Sequence, residues 1–185
     1  MTAMPRESVH REPIGARDIA QHYMRDLVYG ANDGIITTFA VVAGVAGGAL
    51  SARAVLIVGA ANLIADGLSM GVGNYLGIRS HESARAARGL PEEEASPIRH
   101  GLATFLAFVA AGSIPLMPYL DGGSDGLLLS TALTFVALFV VGSLRSLVTI
   151  DRWWSAGLEM FGLGAVVALA AYYAGAVMRW AIGGP

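Results

Sequence analysis

Five apolar runs occupy most of this chain, roughly residues 28–50, 54–78, 101–120, 126–149 and 154–182. Each approaches the ~20 residues that an α-helix needs to cross a hydrocarbon layer about 30 Å thick. Backbone polar groups in lipid must be satisfied inside their own segment, so the runs predict helices. They are too long and too uniformly apolar for barrel strands. The predicted fold class is all-α, a polytopic membrane protein with five transmembrane helices. Its regions are a cytoplasmic tail with an interfacial helix (1–27) and a transmembrane domain (28–185), with a short cytoplasmic connection at 79–100. Composition agrees. Of 185 residues, 55% are hydrophobic and 14% charged, and mean hydropathy is +0.58. A soluble domain carries about a quarter charged residues. A net charge of −2 offers nothing to attract nucleic acid. Cysteine is absent, which excludes disulfides, thiolate metal sites and cysteine nucleophiles.

The breaks between runs are legible. GGALSAR (47–53) is a tight turn, and DGGSDG (121–126) is a Gly/Asp loop. RSLVTIDRWW (145–154) carries two arginines and a Trp pair suited to a membrane interface. Pro115 and Pro118 predict an end or kink in the third span. The polar N-terminus has no apolar core and does not read as a cleavable signal peptide. Residues 17–29 place Ile19, Tyr23, Leu27 and Val28 at helical spacing. This reads either as an interfacial helix or as an extension of the first span. All basic residues are arginine. The N-terminal tail and the second and fourth connections hold ten of them, against Arg53 and Arg179 on the other side. The positive-inside rule then puts the N-terminus in the cytoplasm and the C-terminus opposite.

Within this apolar frame the first span holds Asn32 and Asp33. The second holds Asn62, Asp66, Ser69, Met70 and Asn74. A carboxylate at mid-membrane depth costs at least about 2.5–3.5 kcal/mol, and such residues usually face an interior and mark an ion or proton path. Asn62, Asp66, Met70 and Asn74 are spaced by four and form one stripe. It faces the first span or a dimer partner rather than lipid. With the membrane boundary near residues 25 and 78, Asp33 lies level with Met70, and Asp66 lies level with Thr37, a turn deeper. Carboxylate and amide oxygens suit hard divalent cations, and a thioether tips preference toward transition metals. The predicted metal ligands are Asp33, Asp66 and Met70. Carboxylates that lose protons on binding a cation also supply the linkage for proton exchange. Each residue also has a plainer reading: methionine as core filler, Asn or Ser as an interhelical hydrogen bond, and Asp33 as a carboxylate reaching water.

Other features are less specific. His81, Glu82, Glu92, Glu93, Glu94 and His100 lie in the polar connection and suggest weak cytoplasmic cation capture, although a glutamate run is ordinarily a solvated face. Glu159, two turns into the fifth span, is a candidate for the cytoplasmic entrance. The pairs Gly67/Gly71 and Gly73/Gly77 let helices approach closely.

The motifs YGANDGIITTFAVVAGVAGG, ADGLSMGVGNYLGIRS, HGLATFLAFVAAGSIPLMPYL and GLEMFGLGA together resemble the vacuolar iron transporter family, from about Asp26 onward. The resemblance implies a five-span homodimer with its N-terminus in the cytosol. It implies export of Fe²⁺ or Mn²⁺ from the cytoplasm, as substrate rather than fixed cofactor, in exchange for protons, with Asp33 and Met70 lining the path between protomers. Two departures stand out. The better-known eukaryotic members have glutamate at the position of Asn62 and a small residue at that of Asp66, and they carry a long glutamate-rich helical domain where this chain has about twenty residues. The short connection points to a bacterial-type member of an inner membrane.

The expectation is therefore a metal transporter, not an enzyme. Asp33 and Asp66 bind metal and exchange protons, Met70, Ser69 and Asn62 tune selectivity, Asn32 and Asn74 line the path, and Glu159 with Glu92–Glu94 assists access. The partners are metal ions, protons and the bilayer. One rival is a non-transporting membrane assembly protein. A weaker one is an intramembrane metalloenzyme, disfavoured because no His-rich open site or nucleophile–base pair stands out.

Overall fold

The computed structural model describes residues 8–10, 13–120, 126–147 and 150–183. Five α-helices carry the chain: α1 (Ala16–Gly47), α2 (Ala52–Ala87), α3 (Pro97–Gly112), α4 (Gly126–Arg145) and α5 (Trp153–Ala181), with a 3₁₀ segment at Ile114–Tyr119. All five are long and apolar enough to cross a membrane, α3 together with the 3₁₀ segment. Most of the Gly/Asp loop, residues 121–125, lies outside the described residues.

The helix ends follow local chemistry. Between α1 and α2 only Gly48–Ser51 intervene, Ala49 taking the left-handed φ of 54° and Ser51 capping α2 through Ala54 N (3.4 Å). Pro97 opens α3, where a missing N–H costs nothing. Pro115 and Pro118 fall in the 3₁₀ segment that continues α3, so the expected break is a tightening of the helix. α1 runs unbroken from Ala16, so residues 17–29 are helical and continuous with the first span. At 32 residues it is about 48 Å long. α2 outruns its expected end near 78 by more than two turns. It stops where Gly89 turns left-handed (φ 68°) and Leu90 N–H reaches back to Arg85 O (3.0–3.1 Å for the pair with Gly89 N–H on Ala86 O).

α1 touches each of the other four helices. One face of it, with Phe39 and Val42, packs with Val55, Leu63, Phe108 and Leu116. Ile35 belongs to a second cluster with Leu138 and Met160. Lipid-like surroundings give no hydrophobic drive between helices, so close backbone approach decides the packing. A Cβ on Gly34 would run into the Phe108 carbonyl, one on Gly30 would sit 2.5 Å from Thr104 O, and one on Gly71 would sit 2.8 Å from Gly101 O. α3 is thus pressed against both α1 and α2. Gly67 and Gly71 serve this contact, whereas Gly73 and Gly77 look onto open space.

Gly34→Ala is therefore expected to cost about 1–3 kcal/mol, the usual range for overpacking a closed contact. Gly162→Ala, where no neighbouring atom lies within 4 Å, is expected to cost nothing. Thermal melting in detergent compares them, and equal melting points would contradict the close crossing.

Candidate functional site

The register of α1 against α2 is fixed by one bond. Asn74 Nδ2 donates to Asp26 Oδ1 at 2.8 Å. Counted along an antiparallel pair from this bond, Asp66 falls opposite about Gly34, nearer the level of Asp33 than the full turn that the sequence suggested. The two aspartates are within electrostatic range of each other. Both are half-buried. Asn62 Nδ2 donates to Asp66 Oδ2 (2.7 Å), so the first two members of the stripe form a unit. Thr37 Oγ1 donates to the backbone carbonyl of Asp33 (2.8 Å). Met70 is half-buried and packs against the cluster containing Leu63 and Phe108, so it also serves as filling. Ser69 is exposed beside the stripe.

The remaining sequence-derived residues separate from this group. Asn32 points its buried Oδ1 at no hydrogen-bond partner and lines a cleft of about 450 Å³ with Tyr29, Arg145 and Met160. Glu159 is exposed and accepts from Arg145 NH2 at 2.6 Å. It stands on the α4–α5 side, outside the larger cleft formed by α1, α2 and α3. Asn74, at the end of the stripe, belongs to that larger cleft. Its amide bridges Asp26 and Thr104 Oγ1 (2.8 Å each), while Thr104 Oγ1 donates to His100 O (3.0 Å).

That cleft, about 600 Å³, opens where α1 begins, between the end of α2 and the start of α3. Part of the polar connection folds back into it through Glu82 and Glu94, while most of its other residues stay exposed. Glu82, only 7% exposed, accepts the backbone N–H groups of Glu93 (3.2 Å) and Glu94 (3.1 Å). Arg85 donates to Pro91 O (3.1–3.2 Å) and pairs with Glu93, and His81 also approaches Glu93. Glu92 O accepts from Val9 N–H (2.8 Å), which draws the N-terminal segment alongside. Of the residues suggested for capture, Glu82 thus serves as a structural acceptor, Glu93 is paired and Glu92 holds a backbone bridge. Glu94 turns inward.

Glu94 meets three histidines: His10 Nδ1 at 3.6 Å, His22 Nε2 at 3.3 Å and His100 Nε2 at 2.9 Å. His100 Nδ1 donates to Asp26 Oδ2, and both residues are buried. Burial pushes the Glu94 carboxyl up, but the Ser96 N–H (2.9 Å) and the imidazoles of His100 and His10 outweigh it and hold the carboxyl below its ordinary value. Sequence reasoning missed His22 and Asp26. Their i, i+4 spacing on the polar extension of α1 was a visible signal that both share one face.

A carboxyl held below its ordinary value of about 4.5 stabilises the fold fully above that pH and loses its contribution as pH falls through the lower value. The melting-point gap between the parent and Glu94→Gln is therefore expected to be full near neutrality and to close in acid. A gap that widens in acid contradicts this.

The profile of the VIT family matches residues 24–89 and 81–176. A vacuolar iron transporter of Toxoplasma gondii (strain ATCC 50861 / VEG) is 46% identical over 72 residues, which are 39% of this chain and 22% of that one. Vacuolar iron transporter 1 of Eucalyptus grandis is 25% identical over an alignment of 223 positions, gaps included, that covers 88% of each chain. Vacuolar iron transporter 1 of Oryza sativa subsp. japonica is 25% identical over 208, covering 80% of this chain and 82% of that one. The profile takes in parts of all five helices, and the chain belongs to the VIT family.

Proposed function

We propose that this protein carries divalent transition-metal ions, Fe²⁺ and Mn²⁺ foremost, out of the cytoplasm in exchange for protons. It is a membrane carrier, not an enzyme. The observation that bears most weight is the pair Asp33 and Asp66, near one level on adjacent spans of a chain whose relatives are named vacuolar iron transporters. Two like charges at that depth are relieved by a dication or by protons, and a path that alternates between the two couples their flows. Asn62 holds one oxygen of Asp66 and so shapes the pair. Met70 adds a soft donor beside it, and Ser69 tunes the rim.

The working unit we infer is a homodimer. Asp66 is only half-buried within one protomer, and the adjacent face of α2 exposes Leu68, Val72 and Leu76 with open space at Gly73 and Gly77. A second copy closing over this face removes the carboxylate from lipid and lets the backbones approach. Arginine placement supports an N-terminus in the cytoplasm, which makes the 600 Å³ cleft the cytoplasmic mouth, and outward transport is what the resemblance to vacuolar iron transporters implies.

The test uses liposomes with an internal pH reporter, offered Fe²⁺, Mn²⁺, Co²⁺ or Zn²⁺. The parent is expected to move Fe²⁺ and Mn²⁺ with opposite proton flow. Asp33→Ala and Asp66→Ala are each expected to lower the rate at least tenfold. Transport undiminished in both variants contradicts the site, and no metal movement under any proton gradient favours an assembly role instead.

A further inference from the structure

We propose that His22, Glu94 and His100 form a second metal site, for one transition-metal dication of the Fe²⁺, Co²⁺ and Zn²⁺ class, at the end of the bundle where α1 begins. It stands on geometry of its own and does not depend on transport through the membrane.

One ligand atom from each of the three residues lies within 4.8 Å of the others. His22 Nε2 and His100 Nε2 both converge on Glu94 Oε2, at 3.3 and 2.9 Å. An ion with bonds of ~2.0–2.1 Å in tetrahedral geometry sets its ligand atoms roughly 3.4 Å apart, which the His22–Glu94 spacing matches and which the His100–Glu94 contact reaches by opening about half an ångström. Both atoms are buried and face the Glu94 carboxylate, but neither meets a partner in hydrogen-bond alignment among the described residues. A buried ring nitrogen left in that state is costly unless something else uses its lone pair.

Asp26 decides which nitrogen of His100 has that lone pair. Its Oδ2 accepts the Nδ1–H, so the nitrogen that gives up a proton to bind a metal is Nε2, which faces Glu94 and His22. A carboxylate on the far nitrogen of a metal-binding imidazole both fixes the ring and raises its basicity. Asp26 is itself fixed by Asn74, which is tied to Thr104. Asp26 is thus a positioning residue, and Asn74 supports it from α2. Three elements supply the ligands: α1, the connection after α2, and α3. Two imidazoles with one carboxylate select a borderline transition metal over Mg²⁺ or Ca²⁺, which prefer oxygen alone.

The test uses the full chain in detergent with Asp33→Asn and Asp66→Asn, which separates this site from the membrane pair. A failure of the transport reading leaves the titration unchanged. Co²⁺ is followed by equilibrium dialysis and by its ligand-field absorption. The expected result is one bound Co²⁺ per chain with a nitrogen-containing spectrum, undisturbed by Mg²⁺. His22→Ala, Glu94→Gln and His100→Gln are each expected to weaken binding at least tenfold. Asp26→Asn is expected to weaken it about 10–100-fold without removing a ligand. Metal-free melting checks the fold of each variant, and His22→Ala, at a partly exposed ring, is the one that spares it best. Co²⁺ bound unchanged by the His22→Ala/Glu94→Gln pair overturns the proposal. So does no Co²⁺ bound at about 1 mM, which would leave His100 as a structural link between two carboxylates.

Discussion

The buried carboxylate of Asp26 is the junction on which the arrangement of this bundle depends. It is 2% exposed and receives a bond from α2 through Asn74 and another from α3 through His100. A buried charge contributes little net stability, because its desolvation consumes most of what its partners return. What such a group supplies is specificity, since any register that leaves it unpaired is strongly disfavoured. Glycine contacts let α3 slide close to α1 and α2, but close packing by small residues tolerates neighbouring registers. The Asp26–Asn74 bond selects one. That choice sets Asp33 and Asp66 near one level, and the same carboxylate holds His100 through its Nδ1.

The two polar regions of the molecule are therefore linked by geometry. Asn74 stands two turns along α2 from Asp66, and Asp26 stands two turns along α1 from Asp33. A shift of either helix that disturbs the membrane pair also moves the groups that orient the histidine cluster.

Much of this was legible in the sequence because the bilayer is such a restrictive solvent. Apolar runs announced all five helices, and the four-residue spacing of Asn62, Asp66, Met70 and Asn74 announced their shared stripe. Errors arose where helices continue beyond lipid. Past Ile78 the hydropathy signal ends, yet α2 continues to Ala87 because nothing in HESARAA breaks a helix. The connection looked like a solvated acidic loop. Its fold depends on Glu82 binding two backbone N–H groups eleven and twelve residues on, a contact no local pattern encodes. The cluster of His22, Glu94 and His100 was similarly hidden. Its members come from three separate segments, and only the tertiary register joins them.

Anomalous diffraction from crystals of the protein grown with Mn²⁺ tests the central claim most directly. The account predicts a peak between Asp33 and Asp66, within bonding distance of oxygens from both. No peak there, with the two carboxylates apart and each closed off by hydrogen bonds, would contradict it.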